Sequence, residues 1–443
     1  MLGSRRRAVG VIAVVAVLAG SLGTDLAAAA EAGSPSPTAA RELPSLSSPL
    51  PAVVPVEVPD GDFSNPPPSL AEPTRAPDTR VGERVDPASA GPVVDRTETS
   101  VTFGGDAGAR TTLLYDHPVN YRDGSGVWQV IDPRLVPSPS GFRNRSGPLD
   151  VRFAAAGDAD KVVTISGTGW SVGYGLAGAT PAVGVIDSAD IRYPSVVGDA
   201  DVSYRVGSYD VKEIVTLDRR PAGSGPVAYR FPLSLAGVAA RQADSGIEFV
   251  DGDGVVVGVM PVGVAFDSSG DGARVEPARA PASVTLVEHG AGQAVELSVD
   301  GDWLRAPERE FPVMIDPSFV AGRDAGGGDA FIAGHTPDLT YNGGYQTDDG
   351  HTYKNKFGYG FGVEFVGFTH YNTSPIAGKR ILSSTWWANV LDVQGSNPGS
   401  SFAISPVGSA WGESSVTYNN HSRGSTATRF MARRRRAVGI RGT

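Results

Sequence analysis

Several residue groups in this chain have types and spacings that could do chemistry. Gly169, Trp170, Ser171, Val172 and Gly173 fit the G-x-S-x-G pattern of a nucleophile elbow. That device needs a strand, a sharp turn and then a helix whose amides serve the oxyanion. Ser171 is instead followed by Gly-Tyr-Gly within an alternating run, which reads as a solvent-facing strand serine. Acidic turns at Asp251 to Gly254 and at Asp267 to Gly272 gather carboxylates as a Ca²⁺ loop does. Neither supplies the further spaced ligand and closing Glu that such a loop requires, so both read as hairpin turns. Tyr345, Asp348, Asp349 and His351 form a denser polar patch, yet no metal and no cofactor is expected. No two of the six His stand at H-E-x-x-H spacing, and His117, His335, His351, His370 and His421 read as turn, loop or strand-surface residues. The absence of Cys removes disulfides, thiolate nucleophiles and thiolate metal sites.

Aromatic residues offer a different chemistry, stacking on sugar rings. Tyr341, Tyr345, Tyr353, Tyr359, Trp386 and Trp387 crowd one stretch. Consecutive strand residues point to opposite faces, so one of Trp386 and Trp387 is expected outside. Tyr345, Trp386 and Trp387 are therefore the candidate ligand-binding residues, with core packing as the competing reading.

The elements that must position these groups are strands. From Val101 onward, runs such as TTLLYDH, VWQVID, KVVTISG, VSYRV, KEIVTLD, IEFVD and AVELSVD alternate apolar and polar residues over strand-like lengths. Asp-Gly pairs at Asp123, Asp251, Asp253 and Asp271 mark hairpins, and no stretch sustains a capped 3.6-residue period. The fold class expected is mainly β, with a β-sandwich-like region over 96–318. The formal charge of -10 disfavours nucleic acid and anionic membranes as partners.

Residues 1–30 have the order of an export leader: Arg5 to Arg7, an apolar core from Ala8 to Leu22, then small residues at Ala28 to Ala30. The apolar core is short of the ~20 residues that span a bilayer, so cleavage near Ala30 and no stable membrane insertion are expected. Residues 31–95 are rich in proline, which stiffens chains and removes donors, and read as an extended linker. The expected location is secreted, with wall association.

Residues 411–420, WGESSVTYNN, read as a half-buried strand, and they resemble a W-x-x-x-S-V-T-W/Y-N signature late in DNRLRE-type β-sandwich domains of secreted bacterial proteins. DAFI at 329–332 is similar to that domain's D-T-Y-I opening strand, and PDLTYNGG from Pro337 to its P-x-x-N-Y-G turn. VEFVGFTHYN and IAGKRILSSTWWANV resemble its core pair, with Ala377, Gly378, Ile381, Leu382 and Ser383 in register. REFPVMIDPS at 309–318 resembles the Y-P-V-x-I-D-P-T boundary that precedes this domain in actinobacterial Rhs/YD-repeat, wall-associated-protein-like surface and toxin proteins.

The resemblance implies a truncated, jelly-roll-like DNRLRE-type sandwich over 324–428, lacking its late strands. A basic tail at 429–443 with Arg433 to Arg436 is expected to be disordered. The function implied is a non-catalytic structural and interaction module of a surface or secreted toxin-like protein. Its partners would be a cell-wall or other polysaccharide, or a missing C-terminal repeat and toxin region. A carbohydrate-binding module is the alternative reading, and an esterase using Ser171 a distant third.

Overall fold

In the computed structural model the described residues are 13–19, 90–244, 246–269 and 277–321, with parts of 328–442 beyond. The chain is mainly β, in antiparallel ladders, with one short α-helix among the described residues. Among the described residues the body is built of eighteen strands. They are β1 (Asp132–Ser138), β2 (Gly141–Ser146), β3 (Asp150–Ala154), β4 (Val163–Gly167), β5 (Trp170–Tyr174) and β6 (Val185–Asp187). There follow β7 (Asp190–Val197), β8 (Ala200–Val206), β9 (Asp210–Leu217), β10 (Val227–Ala236), β11 (Val238–Ala243) and β12 (Gly246–Asp251). The last are β13 (Val256–Pro261), β14 (Gly263–Phe266), β15 (Arg279–His289), β16 (Gly292–Val299), β17 (Val313–Asp316) and β18 (Phe319–Val320).

Two long strands change partners midway and so join the ladders around one core. In β10, Val227 to Pro232 pair with β16, whereas Leu233 to Ala236 pair with β5. Pro232, which has no amide to give a ladder, sits at the switch. In β9, Asp210 and Val211 pair with β18, and Val215 to Leu217 pair with β17. Strands that pass from one sheet to another are how sandwich corners are built. Gly237 joins β10 to β11 at φ +69°, and a Cβ there would stand 2.1 Å from the Gly169 carbonyl oxygen, so only glycine fits this link.

Alternation sets what is buried. In β15, Ala280, Ala282 and Val284 are buried while Pro281, Ser283 and Thr285 face out. β9 departs from that rule. Its residues 211–215 are all buried, because Val211, Val215 and Leu217 enter the main core while Ile214 packs with Phe266 and Met314 on the other side. The main core is aromatic-rich, with Phe153 tilted on Tyr204 and Phe319 against Phe249 and Trp170.

Before the body, Val93–Thr97, Ser100–Gly104 and Arg110–Tyr115 form an antiparallel meander over Val101, Phe103 and Leu113. Buried Asn120 ties it together, donating to the carbonyls of Thr97 and Ser100 at 2.7 and 3.0 Å and accepting from Arg96 at 2.7 Å. Ala13–Ala19, in the apolar run expected to be part of an export leader, is a strand paired with Arg110–Tyr115 and Arg380–Ala388.

After the body, Gly328–Ala333 lies between Tyr341–Asn342 and Val363–His370, which also pairs with Gly358–Gly360. Both faces of the first strand are covered. Ala330 and Ile332 pack with Phe368 and Val416, and Phe331 and Ala333 with Phe365.

Three expectations are corrected. The boundary at 318 falls inside the body, because Phe319 is wholly buried in its core with its ring against Gly258. The 416–420 stretch is not a strand: Val416 is buried, but Thr417 to Asn420 form a turn in which the Thr417 amide donates to Asn420 Oδ1 at 2.7 Å. The segment expected to be a disordered tail contributes strands, Thr428–Met431 against Ser401–Ile404 and Val438–Gly442 against Arg380–Ala388.

Because Phe319 fills the space between β5, β12 and β13, Phe319→Ala should cost about 3–5 kcal/mol, as for other buried Phe truncations. Urea unfolding of the full chain measures it. A loss under about 1 kcal/mol would place Phe319 outside the core that holds the body together.

Candidate functional site

Ser171 sits in β5, paired with Ser166 of β4 and Ala236 of β10, and the chain continues as strand to Tyr174. No helix follows it, so the elbow geometry is missing. Asp251 accepts from the amides of Asp253 and Val255 at 3.0 and 2.9 Å, which closes a hairpin loop between β12 and β13. The aromatic candidates stand in two different ladders. Tyr345 lies in a two-stranded ladder with Tyr353–Lys354, whereas Trp386 and Trp387 are consecutive in Arg380–Ala388, opposite Ile440 and Gly439. Their side chains, like Asp348, Asp349 and His351, lie outside the described residues. Among the described residues no cluster of three His or carboxylate groups could hold a metal.

The concentrated polar chemistry lies inside the body. Asp267, from the second acidic turn, is fully buried and anchors the closing segment: Arg309 donates to Oδ2 at 2.7 Å, and the Ala278 and Ser269 amides to Oδ1 at 3.0 and 3.1 Å. The Arg309 guanidinium also lies 4.6 Å from the Trp303 ring centre. A charge pair this enclosed is tolerable only because its lone pairs are met by donors. At the switch point of β9, Lys212 reaches Asp316, which also accepts from Ser318 at 2.7 Å.

Glu213 points the other way, into the main core between Val211 and Val215. It is 1% exposed, and the Tyr204 hydroxyl donates to its Oε1 at 3.3 Å. Burial pushes its carboxyl up to about 8; the Tyr174 and Tyr204 hydroxyls oppose that rise, and the Asp316 charge adds to it. Tyr174 is also wholly buried, and burial followed by the Glu213 charge drives its hydroxyl well above the usual range. Yet that hydroxyl meets no partner in good hydrogen-bond geometry among the described residues. Residues 211, 213, 215 and 217 share one strand face by period two, so the sequence does place Glu213 among apolar neighbours. Read only as a strand, the KEIVTL run hides that signal.

An open cavity of about 710 Å³ lies on the surface, lined by Gly225, Pro226, Val262, Pro281, Ser283 and Asp300, among others. Asp300 is already engaged as the cap of the helix Gly301–Arg305, accepting from the Asp302 amide at 2.8 Å. Among the described residues no helix is long and apolar enough to cross a membrane.

The geometry by itself names no reaction, and comparison with known proteins bears on that question. The chain is 26% identical over 348 residues to the tRNA nuclease WapA of Bacillus subtilis (strain 168). The same identity and length hold for the tRNA(Glu)-specific nuclease WapA of Bacillus subtilis subsp. natto and the tRNA3(Ser)-specific nuclease WapA of Bacillus spizizenii. Each match covers 73% of this chain and 14% of the relative, so the chain spans about one seventh of these proteins. No family model matches, so the DNRLRE-type and Rhs/YD-repeat resemblance gains no support from that side. No solved structure matches. Two expectations are corrected by the relatives. The chain cannot be set down as non-enzymatic when the proteins it resembles are named nucleases, and the exclusion of nucleic acid falls with it.

The buried carboxyl makes a pH prediction. Between its ordinary value of 4.5 and about 8, folded Glu213 keeps a proton that the unfolded chain has lost. Stability is then fully present below about pH 4.5 and is lost as pH rises toward 8, by a few kcal/mol in total. Urea midpoints of the full chain at pH 5 to 9 should show this fall, and Glu213→Gln should flatten it. An unchanged slope in the variant would assign the dependence to other groups.

Proposed function

We propose that these residues build an exported, β-layered support region of a cell-surface, toxin-like protein whose activity is directed at tRNA. The observation that carries the reading is the match over 73% of this chain to proteins named as tRNA nucleases. The export leader supports a surface or extracellular location, since the Arg5 to Arg7 run precedes an apolar core and a small-residue cleavage site. The DNRLRE-type and Rhs/YD-repeat resemblance supports a scaffold and interaction role for the body and the region after it. Folded by long-range ladders closed by buried ion pairs, the body suits a part that must stay intact outside the cell without disulfides.

The test is made in the producing strain. The protein should be recovered from the wall or medium with its N-terminus near Glu31. Deleting its gene should abolish inhibition of a sensitive neighbouring strain, and the neighbour's cleaved tRNA should disappear with it. An intact Met1 on the extracellular protein, or undiminished inhibition and tRNA cleavage after deletion, would contradict the reading.

A further inference from the structure

Several arginines on this body stand directly across the ladder from an acid: Arg205 opposite Asp190, Arg230 opposite Glu296 and Arg241 opposite Glu248, each bonded at 2.5 to 2.7 Å. On the outer face of β1 to β3 the pattern reverses. Arg143 of β2 stands directly opposite Arg152 of β3, an arrangement that destabilises a sheet. Arg134 and Arg145 share the same edge, more than half exposed, around Asp132. Arg152 turns to Asp150 of its own strand, two residues away, at 2.8 Å. Arg143 is exposed, and among the described residues no carboxylate meets it. Four arginines against two aspartates make a basic face on a chain of net charge -10.

We propose that this face is a docking surface for a linear phosphodiester polymer of the cell wall, a polyol phosphate chain. Guanidinium groups suit phosphate oxygens, which they meet with paired N–H donors. The sheet continues past the arginines with Ser166 and Ser171 opposite each other on β4 and β5, hydroxyl groups able to donate to and accept from the hydroxyls of a polyol. No aromatic occupies these positions, so the face offers no platform on which bases could stack. A net gain of about two charges holds a phosphate chain weakly at physiological salt. Such a site is filled only by a partner that repeats its charge and is abundant where the protein resides. The choice of polymer rests on the reading of the chain as exported; the surface itself does not.

The test uses the full mature chain with two probes, a short poly(glycerol phosphate) and an RNA oligonucleotide of equal phosphate number. Binding is read by fluorescence anisotropy at low and high salt. The expected result is salt-sensitive binding of the polyol phosphate, weakened roughly tenfold by Arg143→Glu, with a urea midpoint no lower than that of wild type, since the acid then faces Arg152, and weaker binding of RNA. Arg241→Glu, on a face where the arginine has its acid, should leave binding unchanged. Equal binding by wild type and Arg143→Glu would overturn the proposal, and so would tighter binding of RNA than of the polyol phosphate. Export is read separately from the N-terminus of the secreted protein, so failure of the surface and failure of the exported reading are distinguishable.

Discussion

The structure depends on residues 211–215 of β9 being covered on both faces while carrying two ionisable side chains. A strand buried on both sides cannot send Lys212 or Glu213 to water, so each needs its own solution. Lys212 is neutralised by Asp316, which only the closing segment brings there. Among the described residues no cation pairs with Glu213, and burial holds it protonated near neutrality, against Tyr174 and Tyr204. The splitting of β9 between β17 and β18 follows from the same demand. The ladder must leave room at the point where Lys212 crosses to Asp316, and it resumes with Phe319 as the core plug.

This places unusual weight on residues 309–319. Arg309 fixes the segment to Asp267, Met314 and Ile315 pair into the body, Asp316 neutralises Lys212, and Phe319 fills the centre. A motif that reads as a boundary between regions is structurally the last wall of the first one. Arg309, Asp316 and the apolar residues of the motif are engaged in ion pairing and packing within the body.

Much of the fold was legible in the sequence. Period-two alternation marked β8, β12 and β16, and Asp-Gly pairs marked the hairpin after Asp251 because their side chains and φ freedom serve that turn. What was not legible depended on distant partners. Asp267 and Arg309 are 42 residues apart and Lys212 and Asp316 are 104 apart, so no local pattern announces either pair. The end of the body at β18 and the turn at 417–420 were misjudged for the same reason: long-range contacts, rather than local spacing, set their ends. The basic face did leave a local trace, R-x-R at 143 and 145 beside D-x-R at 132 and 150, period two again. Only the register shows that Arg143 meets Arg152 rather than an acid.

The central claim is that the closing segment belongs to the same cooperative unit as β9. Hydrogen exchange of the full chain at neutral pH, followed by mass spectrometry under increasing denaturant, tests it directly. Amides of residues 211–217 and 313–319 should exchange together, only through global opening and with a common denaturant dependence. Exchange of residues 313–319 by local opening, while residues 211–217 remain protected, would show that the segment is a loosely attached connector and would contradict the account.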